Sequence, residues 1–182
     1  MEWKGSDCMR NEKTRELTFM AVFAALAMVA TLAVRIPMPA TQGYIHPGDA
    51  LVILSTWMIG RYKGAFAGAL GQAMADLLGG YAVFAPVTLI AKLLMGIIMY
   101  RAARSYARKS HASGIPWLIL SALCMAGCYY LAETFLYGSL TVPLVEIPAN
   151  LIQFAVGAAL ATAGAGVLVR SPAKSYFSIC RD

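Results

Sequence analysis

Six apolar stretches dominate the chain, at 17–34, 48–59, 64–78, 81–100, 115–137 and 149–169. A helix needs about 20 apolar residues to cross a hydrocarbon core. In lipid the backbone must satisfy its own hydrogen bonds, and a helix does so within one segment. Pro37 and Pro39 end the first stretch, and the second begins at Gly48. Gly60-Arg61-Tyr62-Lys63 separates the second from the third, and Gly79-Gly80 the third from the fourth. Ser113, Gly114 and Pro116 open the fifth, and a link at 138–148 precedes the sixth. The second and third stretches are short and are expected as a tilted or offset pair. With 59% hydrophobic and 13% charged residues among 182, the chain reads as one all-α integral membrane domain. The expected layout is a polar tail at 1–16, a bundle of six transmembrane helices at 17–169 and a second tail at 170–182. The first tail has mixed charge and no cleavage pattern, so the first stretch is expected to stay as a span.

The net charge is +6, and its placement matters more than its size. Lys4, Arg10, Lys13 and Arg15 precede the first stretch, and Arg61 and Lys63 follow the second. Arg101, Arg104, Arg108 and Lys109 follow the fourth, and Arg170, Lys174 and Arg181 follow the sixth. With six spans all of these fall on one side, and only Arg35 lies near the other. The positive-inside rule then makes both termini cytoplasmic in a multi-pass protein of the cell membrane. No basic amphipathic face with interleaved aromatics occurs, so nucleic acid is not an expected partner.

Motifs for chemistry are absent. Without GxxxxGK[ST] the chain cannot itself couple ATP, and HExxH and GxSxG are also missing. Cys124 and Cys128 lie one turn apart in an apolar run and read as small buried residues, while Cys8 and Cys180 lie in the tails. Neither an enzyme nor a cofactor nor a metal site is expected.

The polar residues inside apolar runs gather at the outer end. Asp76 lies one turn before the Gly79-Gly80 turn, and Lys92 about three turns after it, so the lysine stem is expected to reach toward Asp76. Intramembrane ionisable residues mark a site or a pathway. Tyr81, Thr88 and Lys92 share a helical face, as do Tyr129, Glu133 and Tyr137, and Glu146, Asn150 and Gln153. Asp49 reads as a helix N-cap or as a pocket residue, and Glu146 as a solvated loop acid or as a pocket residue. The expected result is an outward-opening pocket formed by Asp49, Asp76, Tyr81, Thr88, Lys92, Glu133, Glu146 and Asn150, with Gln42, Tyr44 and His46 in the link above it. Its acidic balance favours a neutral or weakly basic ring bearing hydroxyl or amino groups over an anion.

The strings RIPMPATQGYIHPGDA and GALGQAMADLLGGYAVFAPVTLIAKLLMG, with the Ala-rich first stretch, resemble the substrate-binding S components of energy-coupling factor (ECF) vitamin transporters. The resemblance covers about 15–169 and is strongest with the riboflavin-transporter-like subfamily that includes S components for hydroxymethylpyrimidine and pyridoxine. It implies a six-helix bundle of the S-component type that binds a vitamin near the outer face under a lid. It also implies partners: a transmembrane coupling protein and two cytoplasmic ATPase subunits. The family docks through an AxxxA pattern on the first helix, which Ala21 and Ala25 match, with Ala24 adjoining. The alternative is a stand-alone small transporter or channel with Asp76, Glu133 and Lys92 as a proton relay.

Overall fold

The computed structural model describes residues 4–38, 43–108 and 111–170. Six α-helices follow in order: α1 Lys4–Ala33, α2 Asp49–Ile59, α3 Lys63–Gly79, α4 Ala85–Arg108, α5 His111–Tyr137 and α6 Glu146–Val169. The six-helix membrane bundle expected from the apolar runs is therefore the fold observed. Among the described residues, four segments are long and apolar enough to cross a membrane: Lys13–Ala33, Ala85–Tyr106, Ala112–Tyr137 and Val142–Leu168. With 11 residues, α2 extends only about 16 Å.

Several boundaries differ from the apolar runs. Helix α1 begins at Lys4, well inside the polar stretch. Helix α5 begins at His111, so Pro116 lies in its second turn instead of opening it. A proline so near an N-terminus forfeits one backbone bond without ending the helix. The link between α1 and α2 is not plain loop. It holds an antiparallel hairpin, β1 Ile36–Met38 and β2 Gly43–Ile45, with Pro37 opposite Tyr44. Proline is tolerated because a two-stranded ribbon is all edge.

Helix α2 is the centre of the bundle and packs on α1, α3, α4 and α6, while α5 closes the far side against α4 and α6. Joining helices in lipid brings little hydrophobic gain, so close backbone approach must supply attraction. A Cβ at Gly71 would lie 2.1 Å from the Ala24 carbonyl oxygen, which shows how nearly α3 touches α1. A Cβ at Gly157 would lie 2.6 Å from Asp49 Cβ, so α2 starts against the middle of α6. Gly80 ends α3 with φ +88°, a conformation that glycine adopts without strain. An apolar core of Val52, Ile53, Ala91, Met95, Met125 and Phe154 fills the centre. The outer faces carry exposed Leu17, Val29, Leu123 and Phe135, as expected of surfaces that meet lipid tails.

Candidate ligand-binding site

The short α2 decides where the polar groups meet. Because it covers only part of the bilayer depth, the segment 43–48 has to descend into the bundle to reach its start. Asp49 is therefore completely buried, and it is the first residue of α2 without being a side-chain N-cap. Lys92, also completely buried, places its ammonium 2.7 Å from Asp49 Oδ1 and 3.0 Å from Oδ2. This corrects the sequence expectation that Lys92 reaches toward Asp76. Asp49 lies deeper than an outer-face position, level with the lysine. Gln72 Nε2 donates to Asp49 Oδ1 and Gln153 Nε2 to Oδ2, each at 3.1 Å, so four helices converge on one carboxylate. The Lys92 ammonium also meets Met125 Sδ at 3.1 Å and lies 5.4 Å from the centre of the Tyr129 ring.

The descending segment is fixed by the same network. The His46 backbone N–H donates to Gln153 Oε1 at 3.0 Å, and the Gly48 N–H donates to His46 Nδ1 at 3.2 Å. Thr31 Oγ1, on α1, lies 3.4 Å from that nitrogen. An Nδ1 that accepts from an amide carries no proton of its own. Burial holds His46, in the link outside the spanning helices, below the usual histidine range, at about 4. His46 is thus a buried, hydrogen-bonded residue of the link.

Above this network lies a cavity lined by Tyr44, His46, Asp76, Phe84, Thr88, Tyr129, Glu133, Glu146, Asn150 and Gln153. The cavity is partly open to the outside, and about 390 Å³ of non-protein space lies in and above it, open solvent included. Tyr44 roofs it, donating its hydroxyl to Asp76 Oδ1 at 2.5 Å and lying against the Tyr81 ring at 4.6 Å. Arg35 clasps the mouth: its guanidinium sits over both Tyr44 and Tyr81 and donates to the Gly79 carbonyl at 3.1 Å. Inside, Tyr129 donates to Thr88 Oγ1 at 3.0 Å. Glu133 and Glu146 are both buried and line the same cavity, so Glu146 is no solvated loop acid. Asp76 Oδ2, Glu133 Oε2 and Glu146 Oε1 have no hydrogen-bond partner among the described residues. Buried acceptors left unmatched are costly, which makes them candidates for a ligand's donors.

The structure thus brings Tyr44, His46, Asp76, Thr88, Glu133, Glu146 and Asn150 to one cavity and sets Asp49 and Lys92 behind it. Tyr81 stands at the mouth, against Tyr44 and away from the lining. Gln42 lies outside the described residues. Sequence reading left Phe84, Tyr129 and Gln153 out of the site, although Tyr129 and Gln153 share helical faces with Glu133 and Asn150. It also missed Thr31, Arg35 and Gln72. Gln72 carried a signal, a lone amide in a run of Gly and Ala. On α1, Ala21 and Ala25 are exposed, whereas Ala24 is half-buried, with its backbone against Gly71. Ala24 therefore does not share an open face with the other two: it lies about 100° around the helix from Ala25, on the side turned toward α3.

A sequence model described as "ECF-type riboflavin transporter, S component" matches residues 11–168. A solved structure described as "Structure and mechanism of the S component of a bacterial ECF transporter" superposes with a TM-score of 0.62 at 22% identity, over 85% of this chain and 96% of that one. At that identity the likeness bears on the fold. A curated protein of Pyrococcus woesei, "Uncharacterized protein in gap 3'region", is 44% identical over 71 residues, which are 39% of this chain. The chain spans about half the length of that relative, 47% of it. The match along most of the sequence, on a six-helix membrane bundle with a polar cavity at one end, shows that the chain belongs to the ECF-type riboflavin transporter S-component family.

Proposed function

We propose that this S component captures a small vitamin or vitamin precursor from outside the cell, with pyridoxine or hydroxymethylpyrimidine favoured over riboflavin. The observation that carries this reading is the cavity under Tyr44, where three carboxyl groups with unmatched oxygens face aromatic rings. Tyr44, His46, Asp76, Thr88, Glu133, Glu146 and Asn150 contact the ligand. Tyr81 and Gln42 belong to the lid, and Asp49 and Lys92 hold the frame beneath.

Delivery to the cell interior then depends on a transmembrane coupling protein and two cytoplasmic ATPase subunits. Ala21 and Ala25 dock to the coupling protein, and their exposure beside Leu17 and Val22 supports this role. Both termini face the cytoplasm, a reading supported by the cations Arg61, Lys63, Arg101 and Arg170 at the ends of helices remote from the cavity. A proton relay in a stand-alone transporter needs polar groups through the other half of the bundle. There the buried Ser55, Thr56 and Ser121 hydroxyls are bonded to backbone carbonyls. Uptake of labelled pyridoxine and hydroxymethylpyrimidine, in cells with and without a co-expressed coupling module, tests the proposal. Uptake is expected only with the module, and uptake by this chain alone would favour the stand-alone transporter.

A further inference from the structure

The cavity wall also specifies one edge of the ligand, given the reading of the chain as a vitamin-binding subunit. Glu133 projects from the last turns of α5 and Glu146 from the first residue of α6. They are 1% and 7% exposed, and both line the cavity. No N–H or O–H among the described residues reaches Glu133 Oε2 or Glu146 Oε1. The nearby cations are engaged elsewhere: Lys92 with Asp49, and Arg35 with the Gly79 carbonyl and two tyrosine rings. Two buried carboxyl groups facing one cavity repel unless a proton or a cation is shared between them. The empty site can use a shared proton. A ligand that brings a cation with two donors gives both unmatched oxygens charge-assisted hydrogen bonds.

We infer that Glu133 and Glu146 form a subsite for an amidinium-like edge, a ring N–H beside an exocyclic amino group. The ligand is then an amino-substituted, protonatable nitrogen heterocycle of the aminopyrimidine class. Two parallel N–H donors meet carboxylate oxygens as the arginine fork does, which a lone hydroxyl cannot reproduce. A ring whose edge carries carbonyl oxygens would set acceptor against acceptor and leave the glutamates unmatched, so the same pair discriminates against it. Tyr129 and Phe84 line the cavity beside the pair and offer aromatic faces to a cationic ring.

Two probes that differ only at this edge test the inference: the amino form of hydroxymethylpyrimidine and its counterpart with a hydroxyl in place of the amino group. Titration calorimetry on the detergent-solubilised full chain would compare them with pyridoxine and riboflavin. The amino form is expected to bind at least tenfold more tightly than each of the others. Glu133→Gln and Glu146→Gln should each weaken it at least tenfold and shrink its advantage over the hydroxy form. Thermal melting reports whether these near-isosteric variants stay folded, and the comparison on the unaltered protein stands without them. Equal affinity for the two pyrimidines, tighter binding of pyridoxine or riboflavin, or no binding of any probe overturns the inference. The first two outcomes leave the S-component reading intact, since that reading fails on a different result, uptake without the coupling module.

Discussion

Replacing Lys92 by methionine removes the cation from a carboxylate at the centre of the bundle. Asp49 and Lys92 are both 0% exposed, and their charged atoms meet at 2.7 Å. Removing one partner of a buried ion pair costs about 3–5 kcal/mol, because the other charge is left uncompensated. Asp49 keeps two amide donors, Gln72 Nε2 and Gln153 Nε2, each at 3.1 Å. Hydrogen bonds to a charged group are worth about 1.5–3 kcal/mol, so the loss belongs at the low end, about 3 kcal/mol. Asp49→Asn instead strands the ammonium against a thioether and an aromatic face, which are weak acceptors, and is expected to cost more, about 4 kcal/mol. The double variant Asp49→Asn/Lys92→Met carries no charge there and keeps the glutamine contacts. It should lose less than the sum of the two single losses by about 2–3 kcal/mol. Unfolding in mixed SDS micelles, followed by tryptophan fluorescence, supplies the cycle. Additive losses, or a Lys92→Met protein as stable as the parent, would refute the ion pair as the frame of the site. Ligand affinity is a second readout. Since Lys92 does not line the cavity, its loss should weaken binding less than Glu133→Gln does.

Three further outcomes follow from the packing. Gly71→Ala and Gly157→Ala put a methyl 2.1 Å from the Ala24 carbonyl oxygen and 2.6 Å from Asp49 Cβ; each should destabilise by about 1–3 kcal/mol in the same unfolding assay. Ala21→Trp combined with Ala25→Trp should leave ligand binding unchanged and abolish capture of the ATPase module in a pull-down, because both alanines face outward. A histidine whose folded value, about 4, lies below its unfolded 6.5 contributes stability above pH 6.5 that is lost as the pH falls toward 4. Melting temperatures should therefore drop on acidification from pH 7 to pH 5, and less in His46→Asn, whose side-chain oxygen can still accept from the Gly48 N–H.

The bundle was legible because apolar length and helix breakers are local properties. Each run between Pro37 and Pro148 is marked at its ends by residues that stop or open helices. The gathering of acids at one end was legible too, since Asp76, Glu133 and Glu146 each lie close to a turn that faces that side. Partner choice was not legible. Whether Lys92 meets Asp76 or Asp49 depends on how far 43–48 descends, and that depth is set by the shortness of α2 and its contact with Gly157. The hairpin was hidden because three-residue strands that contain Pro37 and Gly43 carry no periodicity to read. Gln72 reads as one more position in a small-residue helix until Asp49 is seen beside its amide. Glu133 and Glu146 reach the same cavity from two helices across a link, and spacing along either helix says nothing of it.

The central claim is that the cavity beneath Tyr44 holds the transported molecule. Native mass spectrometry of the protein purified in detergent tests it most directly. One small nitrogen heterocycle per chain is expected to co-purify, and to be lost from Asp76→Ala and Glu133→Ala proteins that remain folded. A ligand retained equally by both variants would contradict the account, because it would have to occupy some other part of the molecule.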